Sequence, residues 1–394
     1  MKSTIPLGDI VQIKGGGTPS RSVNSYWGGS IPWATVKDFK STSLDNTLES
    51  ITPEGVTNSA TNIVPAGSVI VPTRMAVGKA AINSIDLAIN QDLKALLPKR
   101  DIDRHFLLHF LLSKAEFLEG KAQGATVKGI KLDLLRSLEF PQLSLQEQSR
   151  IAAILDKADS IRQKRTQARD LAYQFLHATF LDMFGDPAAN PHGFEIKHVS
   201  ALLSQHRAGT QSGPFGSALK KHEYVDEGIP VWGVENVQHN NFVENAKLFI
   251  THEKFEQLKR YRVLPGDVLI SRAGTVGRMC IARPSVDRSI ISTNLVRVAL
   301  DAEALIPEYF VGLFTFVPHR LGALKANNKD NAFTFLNPKT LKALKIPVPP
   351  SELQYRFKLL SEKVEAYVSR VDEQLNGFDE LILSLSQRAF RGEL

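Results

Sequence analysis

Two histidines stand four residues apart in "DRHFLLHFLLSKAEFLEG" (103–120). At that spacing one helical face could offer both imidazoles, His105 and His109, to a metal. A zinc hydrolase would also carry a glutamate between them, but the intervening residues are Phe106, Leu107 and Leu108. The pair therefore reads as a surface or packed feature. "KGGGTPS" (14–20) is rich in glycine yet lacks the G-x-x-x-x-G-K-[ST] spacing that cradles phosphates, and reads as a flexible turn. A loop that grips a target amine for methyl transfer takes Asn/Asp-Pro-Pro-aromatic, whereas this chain offers only "NPH" (190–192) and "NPK" (337–339). A metal-dependent nuclease wants Pro-Asp followed by an acidic-x-Lys pair. "DFK" (38–40) and "DLK" (92–94) occur, but no Pro-Asp does. The one cysteine, Cys280, lies in the apolar run "GRMCIARP" and reads as a packed thiol in a buried strand. No catalytic residue, metal ligand or cofactor site is expected in this chain.

What remains is a set of basic and polar side chains on loops. In the first part of the chain these are Lys14, Thr18, Arg21, Lys37, Arg74, Lys79, Lys128 and Lys131; in the second, Lys220, Lys221, Arg272, Arg278, Asn327 and Lys329. Arginine can grip guanine through two parallel hydrogen bonds and asparagine can do the same for adenine. Lysine more often meets phosphate, giving affinity without sequence information. Arg74 and Arg272 stand out because each lies beside a repeated Gly-Lys/Arg turn. With 48 Lys+Arg against 41 Asp+Glu, the net charge of +7 leans mildly toward a polyanionic partner.

A length of 394 residues exceeds one ordinary domain. A single cysteine rules out an internal disulfide framework and fits a reducing compartment. No apolar stretch reaches the ~18–20 residues of a membrane span. "MKSTIPLGDIVQIK" lacks a signal-peptide core, so a cytoplasmic location is expected.

Such loops need positioning, and the chain repeats itself to do so. "GSIPWATVKD" (29–38) is echoed by "EGIPVWGVEN" (227–236), pairing Trp33 with Trp232. "VPAGSVIVPTRMAVGKAAI" (64–82) matches "LPGDVLISRAGTVGRMCIA" (264–282), pairing Gly67 with Gly266 and Val77-Gly78-Lys79 with Val276-Gly277-Arg278. "LEFPQLSLQEQSRI" (138–151) matches "LKIPVPPSELQYRF" (344–357), pairing Pro141 with Pro347 and Gln148 with Gln354. This is a diverged tandem duplication. Each globular half shows short β-type runs (31–36, 62–72 and 80–85, then 231–234, 266–271 and 279–283). A helical patch follows each set, at 103–120 and from Pro307 to 324. The expected fold class is mixed α/β.

Each globular half leads into a long helical pattern. Ser144-x-x-Glu147 makes a capping box, and Ser351-x-x-Gln354 suggests a second. In the first pattern Ile151, Ile154, Ala158, Ile161, Arg165, Ala168, Ala172, Phe175 and Thr179 follow a 3/4 spacing. In the second, Phe357, Leu360, Val364, Tyr367, Val371, Gln374, Phe378, Leu381 and Leu385 do the same. These are coiled-coil seams, and the two helices are expected to pack antiparallel on each other. Arg165 falls on the seam, so its head group is expected to reach a carboxylate or the helix edge. The boundaries expected are a first domain over 1–143, a spacer helix over 144–184, a linker over 185–193, a second domain over 194–350 and a C-terminal spacer helix over 351–394. Two similar modules on a roughly 60 Å rod suit DNA, a long ligand with a repeated backbone.

The chain resembles the specificity (S) subunits of type I restriction-modification systems. The resemblance is carried in order by "IPWATVKDF" (31–39), "SGPFGSALKKHEYVDEGIPVW" (212–232), "GDVLISRAGTVGR" (266–278), the paired "FPQLSLQEQSRI" and "IPVPPSELQYRF", and the closing "QRAFRGEL" (387–394). It implies two target recognition domains, each reading half of a split double-stranded DNA site. It further implies that the helices set the spacing and dock two methyltransferase (M) subunits, with restriction (R) subunits joining. S-adenosylmethionine, ATP and Mg would then belong to those partners, and this chain would be a non-catalytic specificity subunit. "FPQLSLQEQ" lacks the double proline of "VPP" (348–350), which leaves the first strand-to-helix joint open. The alternative is a coiled-coil protein–protein scaffold without sequence-specific DNA binding.

Overall fold

The computed structural model describes residues 3–124, 126–238, 241–272, 276–317, 338–391 and 393. The chain forms two compact units, Met1–Gln167 with Val371–Leu394, and Ala168–Arg370. Each combines a mixed α/β body with parts of two long helices, Leu145–Phe184 and Ser351–Arg391.

In the first unit a five-stranded sheet runs in the order Val11–Gly15, Leu93–Pro98, Val69–Pro72, Ala81–Asn83, Ser43–Leu44. A four-stranded sheet is ordered Glu49–Ile51, Trp27–Ala34, Leu87–Ile89, Asn62–Val64, and its middle pair is parallel. The second unit builds the matching sheet from Thr210–Ser212, Leu295–Val298, Val268–Ser271 and Met279–Ile281, and again sets one parallel pair, Ile229–Trp232 beside Ile290–Ile291, in a companion sheet. Ala34 pairs with Ile89 and Trp232 with Ile291, and the amides of Asn90 and Ser292 donate to the Ala34 and Trp232 carbonyls, so Trp232 stands where the first unit has Ala34 and the two tryptophans are offset by one residue. Buried runs such as Val69–Pro72 and Val268–Ser271 are apolar on both faces, as strands covered on both sides must be.

The helical patch of the first unit is two helices, Arg104–Ser113 and Ala115–Lys121, rather than one. Asp103 caps the first, its carboxylate accepting from the Phe106 amide at 3.0 Å. In the second unit the helix Pro307–Thr315 carries its proline in the first turn, where the missing amide hydrogen costs nothing.

Each unit closes its core by laying aromatic rings against the long helices. In the first, Phe106 and Phe110 meet Phe140 edge-on at 5.5 and 5.0 Å, and Phe390 of the C-terminal helix lies 5.2 Å from Phe106. Ile151 and Leu155 join the same core. In the second, Phe180, Phe184, Tyr309 and Phe357 interlock at 4.7–5.8 Å. Such pairs add ~0.5–1.5 kcal/mol each beyond their buried area.

Within each unit the two helices run antiparallel. In the first, Arg165 meets Gln374 and Phe378 while Ile151 shares a core with Ala389. In the second, Phe180 meets Phe357 while Leu176 shares its core with Val364. Of the expected seam residues, Ile151, Ala158, Phe357 and Val371 are buried. Ile161, Ala168, Ala172, Leu360, Val364, Phe378 and Leu385 are half-buried. Ile154, Phe175, Tyr367 and Leu381 are exposed, and their neighbours Leu155, Leu176 and Val368 are buried instead. On the C-terminal helix the inward stripe is Gln354, Phe357, Ser361, Val364, Val368, Val371, Leu375 and Phe378. The seam is thus shifted by one residue at four positions, where Leu155, Leu176, Ser361 and Val368 turn inward beside Ile154, Phe175, Leu360 and Tyr367.

The two helix starts differ as well. Ser144 does form the capping box, accepting from the Glu147 amide at 3.2 Å while Glu147 accepts from the Ser144 amide at 3.1 Å. Ser351 already lies inside its helix, which begins after Pro350, and Gln354 uses its side chain elsewhere. Arg165 donates to the Gln374 side-chain amide at 2.8 Å and lies over Phe378, so its partner is an amide rather than a carboxylate. Cys280 is buried in the strand Met279–Ile281, and burial pushes its thiol well above the ordinary range.

Candidate nucleic-acid interface

The strand-to-helix joint of each unit is built on one glutamine. Gln148 donates to the Leu143 carbonyl at 3.0 Å and accepts from the Asp103 amide at 3.1 Å. Gln354 donates to the Pro349 carbonyl at 2.8 Å and accepts from the Ile306 amide at 2.9 Å. Both are buried. One side chain therefore ties the exit of the sheet, the start of the spacer helix and the start of the body's own helix. The strands that feed the joints are also equivalent: Glu139–Pro141 pairs with Thr4–Pro6, and Lys345–Val348 with Glu195–His198. The missing second proline of "FPQLSLQEQ" leaves this arrangement unchanged.

A second polar tie differs between the units. In the first, Asp156 of the long helix accepts from both His105 at 2.9 Å and His109 at 2.7 Å. The i,i+4 histidine pair thus holds the body to the spacer. In the second, Arg283 lies 2.9 Å from Glu365 of the long helix and 3.5 Å from Glu308 of the body's helix. Burial pushes the Glu365 carboxyl up.

The glycine-rich "KGGGTPS" is not a loose turn. A Cβ on Gly16 would sit 1.9 Å from the Ile89 carbonyl oxygen, and one on Gly17 would sit 2.6 Å from Ala60 backbone. Trp33 and Thr61 both donate to the Gly17 carbonyl. Gly213 makes the same close approach in the second unit, to the Ser292 carbonyl. These glycines are there for backbone contact, which no side chain would permit.

The first unit's basic turn follows the strand Val69–Pro72. Thr73 is anchored by its amide to the Asp92 carbonyl at 2.8 Å. Met75 donates to the Lys128 carbonyl and Ile130 to the Thr73 carbonyl. The turn therefore stands beside residues 126–131 as one surface. Arg74, Met75, Lys121, Gln123, Val127 and Lys131 wall a cleft of about 690 Å³, with Asp92 at its base, 4.0 Å from Arg74. Lys121 and Gln123 were not among the expected contacts; the signal for them was the "GKAQGATVKGIK" segment, basic and glycine-punctuated after a helix.

The other expected contacts of this unit have diverse settings. Lys128, Lys131 and Lys37 are exposed. Lys14 is half-buried inside the strand Val11–Gly15, opposite Ala95. The Thr18 hydroxyl donates to Gln91, and Lys79 donates to the Phe39 carbonyl at 3.1 Å. Arg21 is committed within its own unit: its guanidinium grips both oxygens of Glu49 and lies 3.6 Å over the Trp27 ring. That bond raises the Arg21 pKa and holds the Glu49 carboxyl below the usual carboxylate range.

In the second unit Lys220 and Lys221 are exposed beside the short turn Lys221–Glu223, and Arg278 is half-buried after the repeated turn. Arg272 lies 4.6 Å over Phe215, which is itself exposed, and burial lowers its pKa. Asn327 and Lys329 lie outside the described residues. A buried network that was not visible in the sequence stiffens this sheet: Asp267 accepts from Arg207 and from the Leu264 amide, while Arg297 donates to the Arg262 and Ala208 carbonyls. Burial still pushes the Asp267 carboxyl up. Among the described residues no helix is long and apolar enough to cross a membrane.

Comparison with known proteins places this architecture. The model of the type I restriction modification DNA specificity domain matches residues 2–169 and 216–357. The specificity subunit of type I restriction enzyme MjaIX from Methanocaldococcus jannaschii is 27% identical over 98% of this chain and 92% of its own length. That of EcoR124I/EcoR124II from Escherichia coli is 34% identical over 41% of this chain and 42% of its own. The fold is that of the type I restriction-modification S subunit crystal structure from M. genitalium, with a TM-score of 0.61 and 15% identity over 99% of this chain and 96% of that one. A chain from a structure of the type I R-M system aligns with a TM-score of 0.54 and 16% identity over 99% of this chain and 98% of that one. Two tandem α/β units on long helices, matched over most of their length by this domain model, place the chain in the type I restriction-modification DNA specificity family.

Proposed function

We propose that this chain is the DNA sequence-specificity subunit of a type I restriction-modification complex, with each unit reading one half of a bipartite double-stranded site. The observation that carries the reading is the repetition itself. The same order of four sheet strands, a like glycine approach and the same glutamine joint occur twice, each with basic side chains on the neighbouring turns. Phosphate contacts from exposed lysines such as Lys128, Lys131, Lys220 and Lys221 would supply salt-dependent affinity, and Arg74 is set to meet a base edge.

In this reading the long helices set the gap between half-sites and dock two methyltransferase subunits, and restriction subunits join that assembly. Exposed apolar side chains on them, among them Leu171, Phe175, Tyr355, Leu359 and Tyr367, support a docking role. In this reading the chain itself is non-catalytic, and His105 and His109 serve to hold Asp156, Cys280 to fill a buried strand and Asp267 to hold Arg207. S-adenosylmethionine, ATP and Mg belong to the partner subunits.

The test is methylome sequencing of a host that expresses the chain with its methyltransferase partner. The reading predicts one modified motif, split into two defined halves by a fixed gap. A continuous motif, or no sequence-dependent modification, would contradict it.

A further inference from the structure

We propose that Met75 is a specificity-determining residue of the first unit, its thioether packing against an apolar surface of a base in the DNA half-site. The inference rests on the DNA-reading role above and names a residue that carries it. Met75 sits at φ = +64°, a left-handed conformation that costs an L side chain. Among the described residues the only other non-glycine there is Asn190, a residue type that tolerates it. The strained methionine gains nothing by burial, since it is 61% exposed, and Val127 beside it is 47% exposed.

The conformation is nevertheless held firmly. The Met75 amide donates to the Lys128 carbonyl at 3.1 Å, the Ala76 amide to the Arg74 carbonyl at 2.7 Å, and Arg74 bridges to Gly129. Strain that a surrounding structure enforces without a packing return marks a functional position. The setting says what the tip meets. Arg74, Lys121 and Lys131 wall the cleft and Lys128 lies on the same loop, with Asp92 the one acid in its lining. Lysines are depleted from protein–protein interfaces, whereas an apolar tip ringed by cations fits a ligand that is anionic outside and apolar between its phosphates. DNA offers such surfaces as the thymine methyl in the major groove and as the face of an opened base step. Methionine is flexible and polarisable enough for either.

The test uses the chain assembled with its methyltransferase partner and a DNA library randomised over the first half-site, comparing wild type with Met75→Ala and Met75→Gly. Glycine accepts a positive φ without strain, so Met75→Gly should match or exceed the wild-type melting temperature, which separates loss of reading from loss of folding. The expected result is a roughly tenfold drop in discrimination at one position of the first half-site, with the second half-site unchanged. If uracil in place of thymine reproduces that loss in the wild type, the contact is to the methyl group; if uracil has no effect while both variants still relax the position, the contact is to a base face. Either result supports the proposal. Unchanged discrimination in both variants, or an equal loss of methylation across all sequences, would overturn it. A wild type that modifies no split motif would instead overturn the DNA-reading role on which it rests.

Discussion

Arg74 and Arg272 show how two copies of one fold diverge where it matters. Both flank the repeated turn, yet they are not equivalent. Thr73 and Arg272 each donate a backbone amide to the neighbouring strand's carbonyl, to Asp92 and Asn294, so Arg272 corresponds to Thr73 and Arg74 lies one residue further along. A one-residue step at the end of a strand changes the face a side chain occupies. Arg74 accordingly stands out over a cleft, while Arg272 lies down on Phe215. The glutamine joints, by contrast, coincide donor for donor. The repeat keeps its connections and varies its surfaces, and that division of labour suits a protein that must hold two different readers in one frame.

The connections should therefore be the costliest to disturb. Phe180→Ala in the second unit and Phe110→Ala in the first each remove a buried ring, and each should cost ~3–5 kcal/mol in denaturant unfolding. A loss confined to one unit would show as a single shifted transition, and equal values would underline the equivalence of the two cores. Gln148→Ala and Gln354→Ala leave buried backbone groups unpaired and should each cost ~2–3 kcal/mol. A Gln354→Ala protein as stable as wild type would break the equivalence of the joints.

The reading surfaces should behave in the opposite way. Arg74→Ala should leave stability within about 0.5 kcal/mol, because its ion pair with Asp92 is long and its own side chain is 63% exposed. It should nonetheless weaken or relax recognition of the first half-site in competition binding. Arg272→Ala should do the reverse, lowering thermal stability through lost packing on Phe215. If both variants altered only recognition, the register difference would have no functional meaning.

The smallest effect expected concerns pH. Burial raises the Glu365 carboxyl in the folded state, so ionising it disfavours folding. Its contribution is fully present below the ordinary glutamate value and is lost as pH rises through the higher folded value. Glu365→Gln should flatten the stability of the second unit across that window, as read by thermal melts at stepped pH. An unchanged pH slope would assign that slope to other groups.

Much of this was legible from particular residues. The repeat showed because glycine, proline and the joint glutamine serve backbone needs that few other residues meet, and Gly67 and Gly266 do share a positive φ. The helical seam was legible only in part. Phe357, Val364, Val371 and Phe378 point inward, but hydrophobic spacing cannot choose between Tyr367 and the buried Val368, and it favours Leu360 over the polar Ser361 that is in fact buried. "KGGGTPS" looked flexible because the Ile89 and Ala60 backbones that press on it are more than forty residues away in sequence. The Arg207–Asp267–Arg297 network and the grip of two histidines on Asp156 were hidden for the same reason. Arg21 appeared free until Glu49 and Trp27 closed on it.

The central claim is that the two units read independently within one frame. Its most direct measurement is methylome sequencing of a chimera in which residues 1–143 are exchanged for the corresponding segment of a related specificity subunit, co-expressed with the methyltransferase partner. The account predicts a new first half-site, with the second half-site and the gap retained. A change in both halves, or in neither, would contradict it.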